Sequence, residues 1–136
     1  GDVYKRQGEM VFINAGHESI LTFDKDKNYE YIKSDMPPIG IVKYFTETMV
    51  KSNKINLKDK TFVVYTDGVT EGYLKNGEEM GAEGVQKIID DMTEVTPKNI
   101  VEALEKELNW GAEKLRDDIT CMAINIENTD LIKKQK

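Results

Sequence analysis

A chain of 136 residues has room for one sizeable core, so a single domain is expected and two independent ones are not. Its 39% apolar and 32% charged residues describe a folded globular protein and exclude a disordered one. Nineteen basic against twenty-five acidic side chains leave a net charge of −6, which disfavours nonspecific attraction to nucleic acid or an anionic membrane surface.

The opening Gly1-Asp2-Val3-Tyr4-Lys5-Arg6-Gln7 has no clear period and joins abruptly to a strand-like run, so residues 1–8 read as a non-native or artefactual leader. From Glu9 to Ala15 the apolar Met10, Val11, Phe12 and Ile13 predict a strand covered on both faces, broken by Gly16-His17. Ile20, Leu21 and Phe23 predict a second strand. A polar turn, Asp24-Lys25-Asp26-Lys27-Asn28, then leads into the alternating Tyr29-Glu30-Tyr31-Ile32, a spacing that reads as an antiparallel meander. Met36-Pro37-Pro38-Ile39-Gly40 predicts a shaped loop, because its prolines remove backbone donors and fix φ. Tyr44 to Val50 is β-prone, and Asn53 to Lys60 reads as a polar connection. Thr61-Phe62-Val63-Val64-Tyr65-Thr66 is the most strand-like stretch and is expected at the centre of a sheet.

The period then changes. Val85, Ile88, Ile89 and Met92 fall at i, i+3, i+4 and i+7, predicting an amphipathic helix. Thr96-Pro97 places a capping hydroxyl before a proline at the first helical position, and Ile100, Leu104 and Leu108 recur every four residues until Gly111 ends a second helix. Ile119 to Ile126 returns to a strand, and Asn128 onward is a Lys-rich flexible tail. Strands, two helices and a final strand imply an α+β fold, with helices on one face of a mainly antiparallel sheet. The single cysteine, Cys121, permits no intramolecular disulfide and is expected as a small core residue. No apolar stretch approaches the roughly 20 residues that span a bilayer, and no basic segment precedes an apolar one, so a cytoplasmic protein is expected.

Two acidic positions stand where a buried-looking strand meets a turn: Asp67 after Thr61 to Thr66, and Asp117-Asp118 before Ile119 to Ile126. If those strands are antiparallel neighbours, the end of the first lies beside the start of the second and the carboxylates converge. Converging carboxylates repel unless a cation compensates, and a hard Mg²⁺ or Mn²⁺ suits oxygen ligands. Gly68, lacking a side chain, lets backbone and solvent approach such a site. The same residues also have a plainer reading, in which Asp-Gly is a turn and Asp117-Asp118 is solvated or paired with Lys114 or Arg116.

In four ordered blocks the sequence resembles the PPM family of metal-dependent protein phosphatases, in the bacterial branch of the sporulation phosphatase and the phosphatases that regulate sigma factors. The blocks are Asn14-Ala15-Gly16-His17, Met36-Pro37-Pro38-Ile39-Gly40, Tyr65-Thr66-Asp67-Gly68-Val69-Thr70-Glu71 and Asp117-Asp118-Ile119-Thr120. Gly77-Glu78 to Gly81 is similar to the family's Gly-Glu-x-Phe-Gly stretch, with Met80 in place of the aromatic residue. The resemblance implies a partial αββα sandwich, with residues 9–127 as the C-terminal part of a phosphatase domain. It implies a two-metal centre holding Mn²⁺ or Mg²⁺, a metal-activated water as nucleophile, and a phosphoserine or phosphothreonine on a regulatory protein as substrate, such as an anti-sigma-factor antagonist. Asp67 and Asp117 match the family's metal ligands. Asp118 matches the adjacent position, and Gly68, Asn14, Gly16 and His17 are expected to shape the site, His17 by structural positioning rather than as an acid or base.

One block of the family, Gly-Asp-x-x-Gly-His-Gly, carries the aspartate that bridges the two metals, and these residues do not contain it; Gly1-Asp2-Val3 echoes only its first letters. The expectation is therefore a fragment inactive alone, with an exposed sheet that invites self-association. Two other readings compete. A noncatalytic phosphatase-like interaction module would keep the fold and lose the chemistry. A haloacid-dehalogenase-type phosphatase would need an aspartate at position 65, where the chain has Tyr65.

Overall fold

A computed structural model describes residues 9–12, 20–33, 53–56, 58–108 and 119–125. Its elements in chain order are β1 (Glu9–Phe12), β2 (Ile20–Asp24), β3 (Tyr29–Ile32), β4 (Asn53–Asn56), β5 (Lys60–Tyr65), α1 (Asp67–Thr70), α2 (Gly81–Asp90), α3 (Pro97–Leu108) and β6 (Cys121–Asn125). The hydrogen-bonded strand order is β3-β2-β5-β6, with β1 and β4 forming a separate pair. This is the α+β arrangement the sequence predicts, and β5 is interior to its sheet as its apolar run requires. Two compact units, Gly1–Phe62 with Asn125–Lys136 and Val63–Ile124, divide the chain.

In the first unit β2 and β3 pair antiparallel in the register Ile20↔Ile32, Leu21↔Tyr31, Thr22↔Glu30, Phe23↔Tyr29. The turn between them is built by Asp24, whose Oδ1 accepts from the amides of Asp26 at 2.9 Å and Asn28 at 3.0 Å, while Oδ2 accepts from Asn28 Nδ2 at 2.8 Å. Those bonds, the Asn28 side chain first, hold the Asp24 carboxyl below the usual carboxylate range. Lys27 takes φ 58°, a left-handed conformation that this tight turn imposes. Ile20, Leu21, Thr22 and Phe23 are all buried, and the Phe23 and Tyr29 rings lie 5.3 Å apart at 48°. The Thr22 hydroxyl is buried without a hydrogen-bond partner among the described residues.

The polar Asn53 to Lys60 segment is not simply a connection. Asn53–Asn56 forms β4, antiparallel to β1 with Met10 opposite Ile55. Local composition argues against a strand here, and pairing with a partner distant in sequence overrides it.

In the second unit Val63, Tyr65, Val69, Met80, Val85, Ile89, Ile100, Leu104 and Leu108 are each at most 3% exposed and make one apolar core. The predicted helical faces account for it: Val85 and Ile89 of α2 and Ile100, Leu104 and Leu108 of α3 point inward. α3 starts where predicted, with Thr96 Oγ1 accepting from the Asn99 amide at 3.1 Å and Pro97 at the first helical position. Met80, the N-cap residue before α2, folds over Gly84, where a Cβ would lie 2.9 Å from Met80 Sδ. Cys121 is half-buried rather than a core residue, because β6 leaves its side chains only partly covered and Met122 is 50% exposed. No described helix is long and apolar enough to cross a membrane. The expected leader 1–8, the Met36 to Gly40 loop, the Tyr44 to Val50 segment and the tail lie outside the described residues.

Candidate active site

The end of β5 meets the start of β6 through two threonines. The Thr66 amide donates to the Thr120 carbonyl at 2.9 Å, and the Thr120 amide donates to Thr66 Oγ1 at 3.0 Å. The Thr66 hydroxyl itself points its proton toward the Thr120 carbonyl at 3.4 Å. Joining the exit of one strand to the entrance of its neighbour is the antiparallel arrangement that the sequence required for its acidic residues to approach.

Asp67 follows at once and opens α1, a single turn. Its carbonyl accepts from the Glu71 amide at 2.8 Å and from the Thr70 hydroxyl at 3.2 Å, while the Thr66 carbonyl accepts from the Val69 amide at 2.9 Å. The plain turn anticipated for Asp67-Gly68 is thus a short helix, anchored by the buried Gly68, Val69 and Thr70. The Asp67 side chain is exposed and, among the described residues, accepts no hydrogen bond and joins no ion pair.

Behind α1 the chain passes Gly72, which packs so closely on Leu108 that an added Cβ would collide with Leu108 Cδ2 and lie 3.0 Å from the Gly68 carbonyl. A small hairpin follows. Tyr73 bridges Glu79, the Leu74 amide donates to the Glu78 carbonyl at 2.8 Å, and the Gly77 amide donates to the Leu74 carbonyl at 2.9 Å. Gly77 and Gly81, the glycines of the Gly-Glu-x-x-Gly stretch, take φ 85° and 62°, conformations that side chains resist. Met80, where the family motif has an aromatic residue, is 3% exposed.

Of the predicted site residues, Asp67 and Gly68 are therefore located, on α1 beside the β5–β6 junction. Asp117, Asp118, Asn14, Gly16 and His17 lie outside the described residues. Among the described residues no three His, Cys, Asp or Glu side chains gather as a metal site. An uncommitted carboxylate on a rigid turn, next to a glycine without a side chain, has the oxygen chemistry that a hard divalent cation takes. The sequence reading passes over Thr66 and Thr120, although each sits within a quoted block, Thr66 directly before Asp67 and Thr120 two residues after Asp118. At Cys121, next along β6, burial, with Glu105 adding to it, pushes the thiol up and disfavours the thiolate.

The family model described as stage II sporulation protein E (SpoIIE) matches residues 1–127. Protein IcfG of Synechocystis sp. is 28% identical over 121 residues, covering 86% of this chain and 18% of that protein. Two solved structures are similar in fold. The SiaA-PP2C domain of Pseudomonas aeruginosa gives a TM-score of 0.66 at 20% identity, covering 92% of this chain and 49% of that one. The manganese-presoaked phosphatase domain of SpoIIE from Bacillus subtilis gives 0.59 at 18% identity, covering 89% and 56% respectively. The chain thus spans about half the length of these structures and a smaller part of IcfG.

Proposed function

Because the chain belongs to the SpoIIE family of PPM-type phosphatase domains, we propose that it forms part of a metal-dependent enzyme that removes phosphate from phosphoserine or phosphothreonine of a regulatory protein. An anti-sigma-factor antagonist is the substrate class in view, and the cytoplasm is the compartment. Residues 9–127 are the working part, and the phosphoprotein rather than nucleic acid or membrane is the partner. Self-association through an uncovered sheet is part of the same proposal.

One observation carries the reading: the two threonines tie the segment bearing Asp67 to the segment that follows Asp118. Asp118 precedes Thr120 by two residues, and chain geometry alone limits that separation to about 7 Å. Asp67 follows Thr66 directly. In this proposal the acids share one small region, where like charges oppose each other unless a cation lies between. In this proposal Asp67 and Asp117 give their carboxylate oxygens to Mn²⁺ or Mg²⁺, with Asp118, Gly68, Asn14, Gly16 and His17 shaping the surroundings. The metal, when bound, supplies a Lewis acid that acidifies water and screens phosphoryl charge. No side chain of the protein acts as a covalent nucleophile.

The 136 residues do not contain the Gly-Asp-x-x-Gly-His-Gly block, and we propose that by themselves they bind metal weakly and turn over slowly. That observation also favours a second reading, a noncatalytic module that keeps the fold as an interaction surface. The complete gene product separates the two. Manganese-dependent phosphate release from a phosphoserine protein, abolished by chelation and by Asp67→Ala, supports the enzyme. Release that is absent, or indifferent to Asp67→Ala, sinks it and leaves the module.

A further inference from the structure

In a hydrogen-bonded antiparallel pair the two residues exchange both backbone bonds, each amide to the other's carbonyl. Thr66 and Thr120 make only one of these. The Thr66 amide reaches the Thr120 carbonyl at 2.9 Å, but the Thr66 carbonyl has turned away to receive the Val69 amide at 2.9 Å and start α1. The Thr120 amide is left to the Thr66 hydroxyl, at 3.0 Å. Thr66 also stands at the N-cap of α1 with extended φ −88° and ψ 165°, yet its side chain caps nothing in that helix. A threonine at this position ordinarily gives its oxygen to the helix amides; here the oxygen serves the sheet.

Resting on the metal-phosphatase reading above, we propose that the Thr66 hydroxyl is a positioning group for the metal carboxylates. It replaces a backbone carbonyl in the β5–β6 ladder, and so allows the chain to leave the sheet for the helix at Asp67 without parting from the strand that follows Asp117 and Asp118. Without the oxygen, the Thr120 amide has to find another acceptor, and the simplest one is the Thr66 carbonyl. Turning that carbonyl back toward the sheet would draw it off the Val69 amide, loosen the start of α1 and swing Asp67 off its present line. The hydroxyl therefore decides a competition between two acceptors, and the outcome sets where the Asp67 carboxylate stands.

Manganese titration followed by water-proton relaxation, run beside thermal unfolding and Thr120 amide exchange, tests this on the complete gene product. Thr66→Val keeps the shape and removes the oxygen; Thr66→Ser keeps the oxygen and drops a methyl group; Thr66→Ala replaces the valine variant if that one does not fold. Supporting partners of metal ligands typically matter about 10- to 100-fold in affinity, so Thr66→Val is expected to weaken manganese binding by that factor and to speed Thr120 exchange, with Thr66→Ser restoring both. Wild-type manganese affinity in Thr66→Val, even with lowered stability, overturns the proposal, because the hydroxyl would then be only structural. Equal weakening in Thr66→Ser overturns it too, since the methyl and not the oxygen would matter. If Asp67→Ala still loses the metal while Thr66→Val does not, the metal reading stands and this proposal alone falls. If Asp67→Ala binds manganese as wild type does, both fall together.

Discussion

Gly72 is the described glycine whose added Cβ would meet its neighbours most closely, and replacing it with alanine measures how rigid the support beneath Asp67 is. A Cβ at this position meets three atoms: Leu108 Cδ2 in outright collision, the Gly68 carbonyl at 3.0 Å and the Val69 carbonyl at 3.3 Å. Both carbonyls belong to α1, so they can yield only by moving the turn that carries Asp67. Leu108 is 2% exposed and has little room to retreat. Overpacking of this kind costs about 1–3 kcal/mol, and Leu108→Ala alone about 2–5 kcal/mol through lost burial and a cavity. In the double variant the alanine methyl occupies part of that cavity, so the two losses should not add, and a favourable coupling of about 1–2 kcal/mol is expected. Urea unfolding of the four proteins, with m-values checked for constancy, gives the cycle directly. Simple additivity would show that Leu108 is not what opposes a side chain at 72. A Gly72→Ala variant as stable as wild type would refute the close packing altogether.

Thr22→Val should be neutral or stabilising by up to about 2 kcal/mol, since it swaps a buried hydroxyl lacking a partner among the described residues for a methyl group of similar shape; a loss above 1 kcal/mol in urea unfolding would mean that the hydroxyl is paired. Thr96→Ala removes the oxygen that receives the Asn99 amide and should cost about 0.5–2 kcal/mol, whereas Lys98→Ala, which breaks only an exposed pair with Glu102, should cost under about 0.5 kcal/mol. Asp24 governs an acid response. Its carboxyl is depressed in the folded state, so it stabilises the fold at pH above the ordinary carboxylate range and the contribution disappears as pH falls through the lower folded value. Urea midpoints measured from neutral pH down to pH ~2 should therefore fall less steeply in Asp24→Asn than in wild type; parallel curves would remove Asp24 from the account.

Much of this fold is legible from the sequence because its signals are local. Thr96-Pro97 with Ile100, Leu104 and Leu108 contains a start and a buried stripe, and α3 follows them, while the end expected at Gly111 lies outside the described residues. Thr61 to Thr66 announces a central strand by its unbroken apolar run, and β5 lies between two neighbours. The polar Asn53–Asn56 gives no such signal. It becomes β4 through pairing with β1, a contact separated by some forty residues that no window of sequence contains. Cys121 illustrates a different limit: an apolar neighbourhood in sequence does not reveal that β6 is the last strand of its sheet, where cover is partial. At the site, the position of Asp67 and Gly68 at the end of a strand could be read from the Asp-Gly step. The bond from the Thr120 amide to the Thr66 hydroxyl could not, because it depends on a carbonyl turning from sheet to helix. That change of allegiance is a fact of three dimensions.

Met80 and Gly84 share one small volume at the start of α2, the thioether lying where a side chain at 84 would begin. Evolution and laboratory selection should therefore treat the two positions as a single choice. Where a rigid ring stands at 80, a bare backbone at 84 is the compatible partner; where 80 shrinks, 84 becomes free to grow and gain the helical preference that glycine forfeits. A library randomised at both sites ought to return large-with-small and small-with-large pairs, and few survivors that are bulky at both.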